Sequence, residues 1–248
     1  MTLNEENGLN IVDWYANVYR IFSKKWFLEL LKTQRNGLVS SRMWDDPFEN
    51  FFLKCVGVTS DGARVSLSSL HDSWFGQCWT LTEESDAMWR IYSHDKTGVR
   101  VSTTIRRLFT SFYDSADTFA TQKFFIGEVS YASRGIIEAF LAKTSFWDIA
   151  LGGQARSFAE TLCIKRQEFA HEHEIRLLFH DAQNQHMGAT VVPFPFDTEA
   201  LIDSVILDPR MSDAEFQSAK NEIASCGYSR EIRQSELYKF SPPNIRIE

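Results

Sequence analysis

Short apolar runs alternate with amphipathic stretches along the first half of the chain. The runs predict strands at residues 18–22, 38–41, 76–81 and 98–102. Helical spacing predicts a helix at 26–32 that ends near Asn36 and Gly37, and another at 84–92. Asp46, Pro47 and Glu49 occupy the cap, first and third positions of a further helix running through 51–53. This half therefore alternates strands with short helices.

The second half continues with mixed elements. The pattern predicts a strand at 124–131, then a mostly helical stretch at 136–166 that breaks near Gly152 and Gly153. Strands follow at 172–179, 189–192 and 201–207, and a helix at 213–225 ends at Gly227. This order favours an α+β fold with a mixed, mainly antiparallel sheet flanked by short helices. Without an internal linker, residues 1–248 are expected to form one domain.

Composition narrows the class of protein. Hydrophobic residues make up 44% of the chain, which is ample for a core, and the net charge of −7 without a basic cluster disfavours a nucleic-acid partner. Four widely spaced cysteines argue against a zinc ribbon or a disulfide framework. The chain shows neither a signal segment nor an apolar run long enough for a membrane span, so we expect a cytoplasmic protein.

The densest polar stretch runs from His171 to Arg176. On a strand, Glu172, Glu174 and Arg176 would share one face, with His171 and His173 on the other. Neighbouring carboxylates raise each other's pKa unless a cation compensates their charge. Such a pair is suited to binding a ribose hydroxyl or to stabilising positive charge in a transition state. A surface salt bridge is an equal alternative. Metal binding by His171 and His173, with His180 nearby, is a weaker one.

Two other segments carry candidate site residues. Arg20 lies in an apolar strand and must find an anion, an exposed face, or a partner such as Asp13 or Asp46. Cys78 lacks a neighbouring cation or histidine, which favours a buried structural thiol over a nucleophile. Trp79, Trp89 and Tyr92 are explained by core packing alone. The chain contains no phosphate-binding glycine loop, dinucleotide fingerprint or nucleophile elbow.

The ordered motifs resemble a bacterial family of unknown function, numbered 2971, over about residues 18–210; the C-terminal helix and strand at 211–248 lie beyond this core. Asp45 replaces an asparagine in the family's Asn-Asp-Pro-Phe-Glu signature, here residues 45–49. The segments matching its other signatures are Tyr19-Arg20, Cys78-Trp79-Thr80, Met88-Trp89, Gly98-Val99, and the closing Lys165, Phe169, Glu172, Glu174 and Arg176. The resemblance implies no reaction.

A more distant resemblance is to ADP-ribosyltransferases, whose sites combine an arginine on an early strand, a hydroxyl residue on a middle strand and a late Glu-x-Glu strand. It implies that Arg20 holds the dinucleotide, Thr80 orients the site and Glu174 grips the nicotinamide ribose. Glu172 would assist the acceptor nucleophile. Tyr92 or Trp89 would stack on nicotinamide, and Arg176 joins the ligand-binding residues. NAD would be the substrate, and no metal is expected.

Three hypotheses follow. The first is an ADP-ribosyltransferase-like enzyme that cleaves NAD and transfers ADP-ribose to a macromolecular acceptor or releases it to water, as a toxin or defence effector. The second is a non-catalytic module that binds a nucleotide or a protein through Arg20, Trp89 and Glu174. The third is a metal-dependent hydrolase or nuclease that uses His171, His173 and a carboxylate.

Overall fold

A ten-stranded sheet runs through the part of the chain that the structure describes. The computed structural model describes residues 5–44, 46, 49, 56–58, 61–66, 73–143, 155–244 and 246. The path of the sheet is β1-β8-β11-β6-β2-β7-β13-β14, with β3 joined to β6 and β12 joined to β3. The strands of this sheet are β1 Gly8–Leu9, β2 Asn17–Ser23, β3 Arg35–Ser40, β6 Trp74–Thr80, β7 Gly98–Thr104, β8 Phe124–Glu128, β11 Glu174–His180, β12 Val191–Pro195, β13 Ser204–Leu207 and β14 Ile232–Gln234.

Short elements complete the described part of the chain. The helices are α1 Lys24–Thr33, α2 Asp86–Tyr92, α3 Ile105–Phe112, α4 Ala120–Lys123, α5 Arg134–Lys143, α6 Ala155–Thr161, α7 Thr198–Leu201 and α8 Asp213–Ser225. Two small strand pairs lie outside the large sheet: β4 Val56–Val58 with β5 Arg64–Ser66, and β9 Ser130–Ala132 with β10 Ile164–Arg166. Single 3₁₀ turns occur at Glu5–Asn7 and Ser41–Met43, and a longer one at Gln167–Glu172.

The sheet forks at β6. This strand pairs with β11 along its whole length, from Trp74 opposite His180 to Thr80 opposite Glu174. Its other edge is shared, because β3 pairs with its first half and β2 meets it only where Tyr19 lies opposite Thr80. The strands β2 and β6 therefore contact each other at one end only, and β2 continues along β7.

The two faces of β11 have different environments. Ile175, Leu177 and Phe179 point into the main hydrophobic core, together with Phe75 and Trp79 of β6. Because side chains alternate along a strand, Glu174 and Arg176 project from the opposite face. Leu178, also on that face, packs in a second, smaller core. The polar residues of β11 thus lie between two apolar clusters.

The predicted α+β class with a mixed, mainly antiparallel sheet and short helices is confirmed. Most pairings are antiparallel, and the parallel ones are β1 with β8, β9 with β10, and β13 with β14. The sequence pattern missed the helix α3, and it predicted a strand from residue 201 where α7 precedes β13. The stretch at 136–166 contains β10 as well as helices, and its predicted break lies outside the described residues, as does the predicted helix through 51–53.

No helix within the described ranges combines the length and the apolar character that crossing a membrane requires.

Candidate functional site

The register between β6 and β11 places four polar residues on one sheet face. Glu174 lies opposite Thr80, and Arg176 lies opposite Cys78. Residues directly opposite each other in an antiparallel pair project to the same side of the sheet. These side chains therefore share the face that points away from the main core, and the strand pair fixes their spacing.

A residue in the left-handed backbone conformation precedes β11 and changes the direction of the chain. His173 has a φ of 40°, and Glu172 is the last residue of the 3₁₀ turn before it. The Thr80 hydroxyl donates to the Glu172 carbonyl at 2.5 Å, and the Leu81 amide donates to the His173 carbonyl at 2.9 Å. The prediction that the strand includes Glu172 and His173 is wrong, because the backbone turns before Glu174. The turn nevertheless brings Glu172 back beside Glu174.

A buried ion cluster joins the two glutamates to residues from other elements. We call the side chains of Glu49, Lys165, Glu172, Glu174 and Arg176 the carboxylate cluster. Lys165 Nζ lies 2.6 Å from Glu172 Oε2, 3.0 Å from Glu49 Oε1 and 3.3 Å from Glu174 Oε2. Arg176 binds Glu174 Oε1 through Nε at 2.6 Å and Glu49 Oε1 through Nη2 at 2.5 Å. Every member is at least nine-tenths buried.

The electrostatics of this cluster favour its charged form. Burial opposes the ionisation of Glu174, but Arg176 and Lys165 outweigh that effect and hold its pKa well below the ordinary glutamate value. Burial likewise opposes a charged Lys165, and its carboxylate neighbours raise its pKa above the ordinary lysine value. Among the described residues, three carboxylates face two cations in this cluster, so it contains one more acidic than basic group.

Arg20 is a cation on the neighbouring strand β2 that has no ion-pair partner among the described residues. It lies on β2 one residue beyond the bridge between Tyr19 and Thr80, and its side chain is half-buried. Within the described residues it makes no hydrogen bond or ion pair, and its guanidinium lies 4.9 Å from the Phe22 ring centre. Burial lowers its pKa to about 10, although Cys78 and Tyr92 act in the opposite direction. Neither Asp13 nor Asp46 pairs with it; Asp46 binds Arg166 at 3.0 Å.

Solvent reaches the cluster beside Cys78 and Tyr92. Tyr92 is 40% exposed, and its hydroxyl donates to Glu172 Oε1 at 3.4 Å. Cys78 is exposed, which corrects the prediction of a buried thiol. Desolvation by the surrounding protein and the charge of Glu174 raise the thiol's pKa well above the ordinary cysteine value, so it is protonated and a poor nucleophile. We call Arg20, Cys78 and Tyr92 the accessible edge of the cluster.

Three of the predicted site residues are buried. Trp89 is fully buried against Ile21, Met88 and Ile206, and its Nε1 donates to Glu84, so it is not available for stacking. Arg176 is also fully buried, holding Glu174 and Glu49. Thr80 is 4% exposed and is engaged with the Glu172 turn. Thr80 therefore contacts the turn that carries Glu172, and Arg176 contacts Glu174 and Glu49.

The sequence pattern missed other members of the site. Glu49 was explained as a helix-cap residue, whereas its carboxylate binds both Lys165 and Arg176. Lys165 was noted only as part of a family pattern. Tyr131 was placed in a strand, and its hydroxyl accepts the Glu174 amide at 2.9 Å. A sequence signal existed for Glu49 and Lys165, because both belong to the motifs that carry the family resemblance.

The histidines of the polar stretch do not form a metal site in the described part of the chain. His171 and His173 are exposed, and His173 Nδ1 lies 3.0 Å from the Thr82 hydroxyl. Within the described ranges, no group of three or more histidine, cysteine, aspartate and glutamate side chains is arranged to hold a metal ion. These residues therefore give the metal-dependent hypothesis no support.

A cavity of about 480 Å³ lies elsewhere on the protein. It opens beside the first turns of α1, and none of the predicted site residues lines it. Its lining residues are Ser23, Lys24, Lys25, Leu28, Glu29, Lys32, Asp95 and Thr97.

Sequence comparison identifies the family that the motifs resemble. A family model described as a protein of unknown function (DUF2971) matches residues 88–177. This match confirms the family resemblance over residues 88–177, whereas the resemblance was predicted over about residues 18–210. The matched segment includes Trp89, Lys165, Glu172, Glu174 and Arg176, whereas Arg20, Glu49 and Cys78 precede it. No curated protein matches the chain in sequence.

Structural comparison finds similarity to DarT from Thermus sp. 2.9. The structure in complex with NAD+ has a TM-score of 0.38 and 11% identity, covering 93% of this chain and 100% of that chain. The complex with carba-NAD+ has a TM-score of 0.37 and 11% identity, covering 90% and 95%. The complex with ADP-ribosylated single-stranded DNA has a TM-score of 0.37 and 13% identity, covering 88% and 92%.

Proposed function

We propose that this chain is an ADP-ribosyltransferase-like enzyme that cleaves NAD and transfers ADP-ribose to an acceptor or releases it to water. One observation carries the proposal: the exposed Tyr92 contacts a buried cluster in which three carboxylates face two cations, and the half-buried Arg20, which has no ion-pair partner among the described residues, lies on the neighbouring strand β2. This combination offers a phosphate site, a surface for an aromatic ring and an anionic environment within one small region.

The chemistry of NAD fits these three features. The Arg20 guanidinium binds a pyrophosphate oxygen. This oxygen makes up for the hydration that the guanidinium has lost through its partial burial. The Tyr92 ring packs against the nicotinamide, whose bond to ribose C1′ breaks with both electrons leaving on the ring nitrogen. Positive charge then develops on the ribose, and the excess negative charge of the carboxylate cluster stabilises it. The acceptor or a water molecule attacks C1′ and loses its proton to solvent or to a carboxylate.

The first experiment follows nicotinamide release and ADP-ribose labelling of lysate macromolecules by the purified protein. Glu174→Gln keeps the side-chain shape but removes its negative charge. Loss of one electrostatic stabiliser typically lowers kcat by about 10² to 10³, so release is expected to fall by this amount. Glu138→Gln, in the exposed pair with Arg134, is the matched control and should turn over like the wild type.

The outcomes separate this proposal from a non-catalytic module. A feature that favours such a module is the engagement of both Glu174 oxygens by Arg176 and Lys165, which leaves little room for a ligand hydroxyl. NAD binding without nicotinamide release would support this second function. Absence of both binding and release would remove NAD as the ligand, and wild-type turnover by Glu174→Gln would exclude this carboxylate from the reaction.

A further inference from the structure

Lys165 is the centre of the carboxylate cluster. It lies on β10, which pairs with β9, and the following 3₁₀ turn carries Phe169 over its ammonium group at 4.6 Å from the ring centre. Lys165 is 7% exposed, so its three carboxylate contacts replace nearly all of its hydration. No other cation of the cluster contacts Glu172.

The two glutamates of the Glu-x-Glu motif differ in how fully they are engaged. Glu174 Oε1 accepts from Arg176 Nε, and its Oε2 accepts from both Lys165 and Arg176. Glu172 has one strong contact, from Lys165 to Oε2. Its Oε1 receives only the 3.4 Å hydrogen bond from Tyr92 within the described residues. A carboxylate oxygen has two acceptor sites, so Glu172 Oε1 keeps capacity for a further donor.

The remaining acceptor site of Glu172 Oε1 also lies on the Tyr92 side of the cluster. Tyr92 is the exposed aromatic of the accessible edge, so the Glu172 oxygen that it touches is the one closest to a ligand packed on its ring. Lys165 fixes the other oxygen, and Thr80 fixes the Glu172 carbonyl. The side chain is therefore held at both ends with one oxygen available.

We infer that Lys165 is a positioning residue that holds Glu172 with its Oε1 toward the accessible edge, where it accepts a hydrogen bond from a ribose hydroxyl of the substrate. This assignment rests on the proposed NAD-cleaving function. It gives Lys165 two separable effects. One is neutralisation of the buried carboxylates, and the other is orientation of Glu172.

A double substitution separates these effects. Lys165→Met leaves three carboxylates facing Arg176 alone, which destabilises the single variant. Adding Glu49→Gln restores the original excess of one negative charge without replacing the contact to Glu172. We expect the double variant to unfold at a urea concentration near that of the wild type, yet to release nicotinamide at least about tenfold more slowly, mainly through kcat. Lys123→Met, which breaks the ion pair with Asp117, is the control for lysine removal.

The outcome for the double variant decides the role of Lys165. If it recovers wild-type turnover, Lys165 supplies charge balance alone and the positioning role is overturned. The Glu49→Gln single variant is measured alongside, and it should keep more activity than the double variant. Equal losses in the two would also count against positioning, because they would follow from removing Glu49.

A second readout needs no turnover, so it remains informative if the wild type does not cleave NAD. Cys78 is the only cysteine of the tryptic peptide 65–90, and its iodoacetamide labelling can be followed by mass spectrometry. Removing the Lys165 charge makes the surroundings of Cys78 more negative, which raises the pKa of its thiol. Because only the thiolate reacts, labelling slows about tenfold for each unit of that rise. Unchanged or faster labelling in folded Lys165→Met would overturn the charge-balancing role. Inactivity of the wild type would instead overturn the NAD function together with the ribose contact of Glu172, and the labelling would still test whether Lys165 balances the charge of the cluster.

Discussion

Arg20 is the residue for which sequence and structure agree most usefully. An arginine within an apolar strand must find an anion or an exposed face, and the structure leaves its half-buried guanidinium without an ion-pair partner among the described residues. Desolvation lowers its pKa to about 10, which still leaves it charged at neutral pH. A partly dehydrated cation gains from a phosphate group, because less water must be displaced on binding.

We therefore expect Arg20→Gln to weaken NAD binding while leaving the fold intact. A hydrogen bond to a charged group contributes about 1.5–3 kcal/mol, which corresponds to a loss of affinity of roughly 10- to 150-fold. Isothermal titration calorimetry with NAD measures this change, and Arg134→Gln at an exposed ion pair is the control. Equal affinity in the two variants would place the phosphates elsewhere.

The sequence revealed residue types at this site better than their roles. Glu172, Glu174 and Arg176 were predicted to share one strand face, and only the latter two do so. The left-handed conformation of His173 causes the difference. A non-glycine residue rarely adopts a positive φ, so a pattern of alternating side chains cannot signal it. Trp89 and Tyr92 look equivalent in sequence, yet packing buries the first and exposes the second.

The elements predicted best were those whose ends are marked by residues in their own sequence. The helix α8 was predicted at 213–225 with Gly227 at its end, and it spans those residues with Gly227 at a φ of 94°. By contrast, α1 ends at Thr33 instead of near Gly37. Gln34 adopts a left-handed conformation there, and its side chain donates to Leu31 and to Thr198, 164 residues away. Such a distant partner leaves no mark on the local sequence.

The start of α8 provides a stability test for a local signal. Ser212 accepts the Glu215 amide, and Glu215 reaches back to the Ser212 amide, forming a capping box. Ser212→Ala removes the cap and is expected to lower the free energy of unfolding by about 1 kcal/mol. Ser218→Ala, within the same helix, should cost far less because alanine is the better helix former. Urea unfolding of both variants makes the comparison, and equal losses would contradict the cap.

At the scale of the whole molecule, the candidate site is a product of long-range topology. Glu49 and Arg176 are 127 residues apart in sequence, and their side chains meet only in the folded chain. The fold class could be predicted because apolar periodicity reports on elements one at a time. The cluster could not, since one sequence gives the charges of its members but not the pairings that bring three carboxylates to one lysine.

This topology makes the stability of the whole fold sensitive to acid. In the unfolded chain Glu174 has an ordinary pKa of about 4.3, whereas in the folded protein Arg176 and Lys165 outweigh burial and hold its pKa lower. The unfolded state therefore binds the proton more readily. The stabilisation is complete above the ordinary value and is lost as pH falls towards the depressed one.

We expect the free energy of unfolding to decrease with falling pH through the carboxyl range, with Glu174 contributing a slope of up to about 1.4 kcal/mol per pH unit. Urea titrations at a series of pH values from neutral into the acid range measure the slope. Glu174→Gln should flatten it, even though the variant is less stable at neutral pH because Arg176 loses its charged partner. The matched substitution Glu138→Gln, at an exposed pair, should keep the wild-type slope. Parallel slopes in all three proteins would mean that the acid sensitivity arises outside the carboxylate cluster.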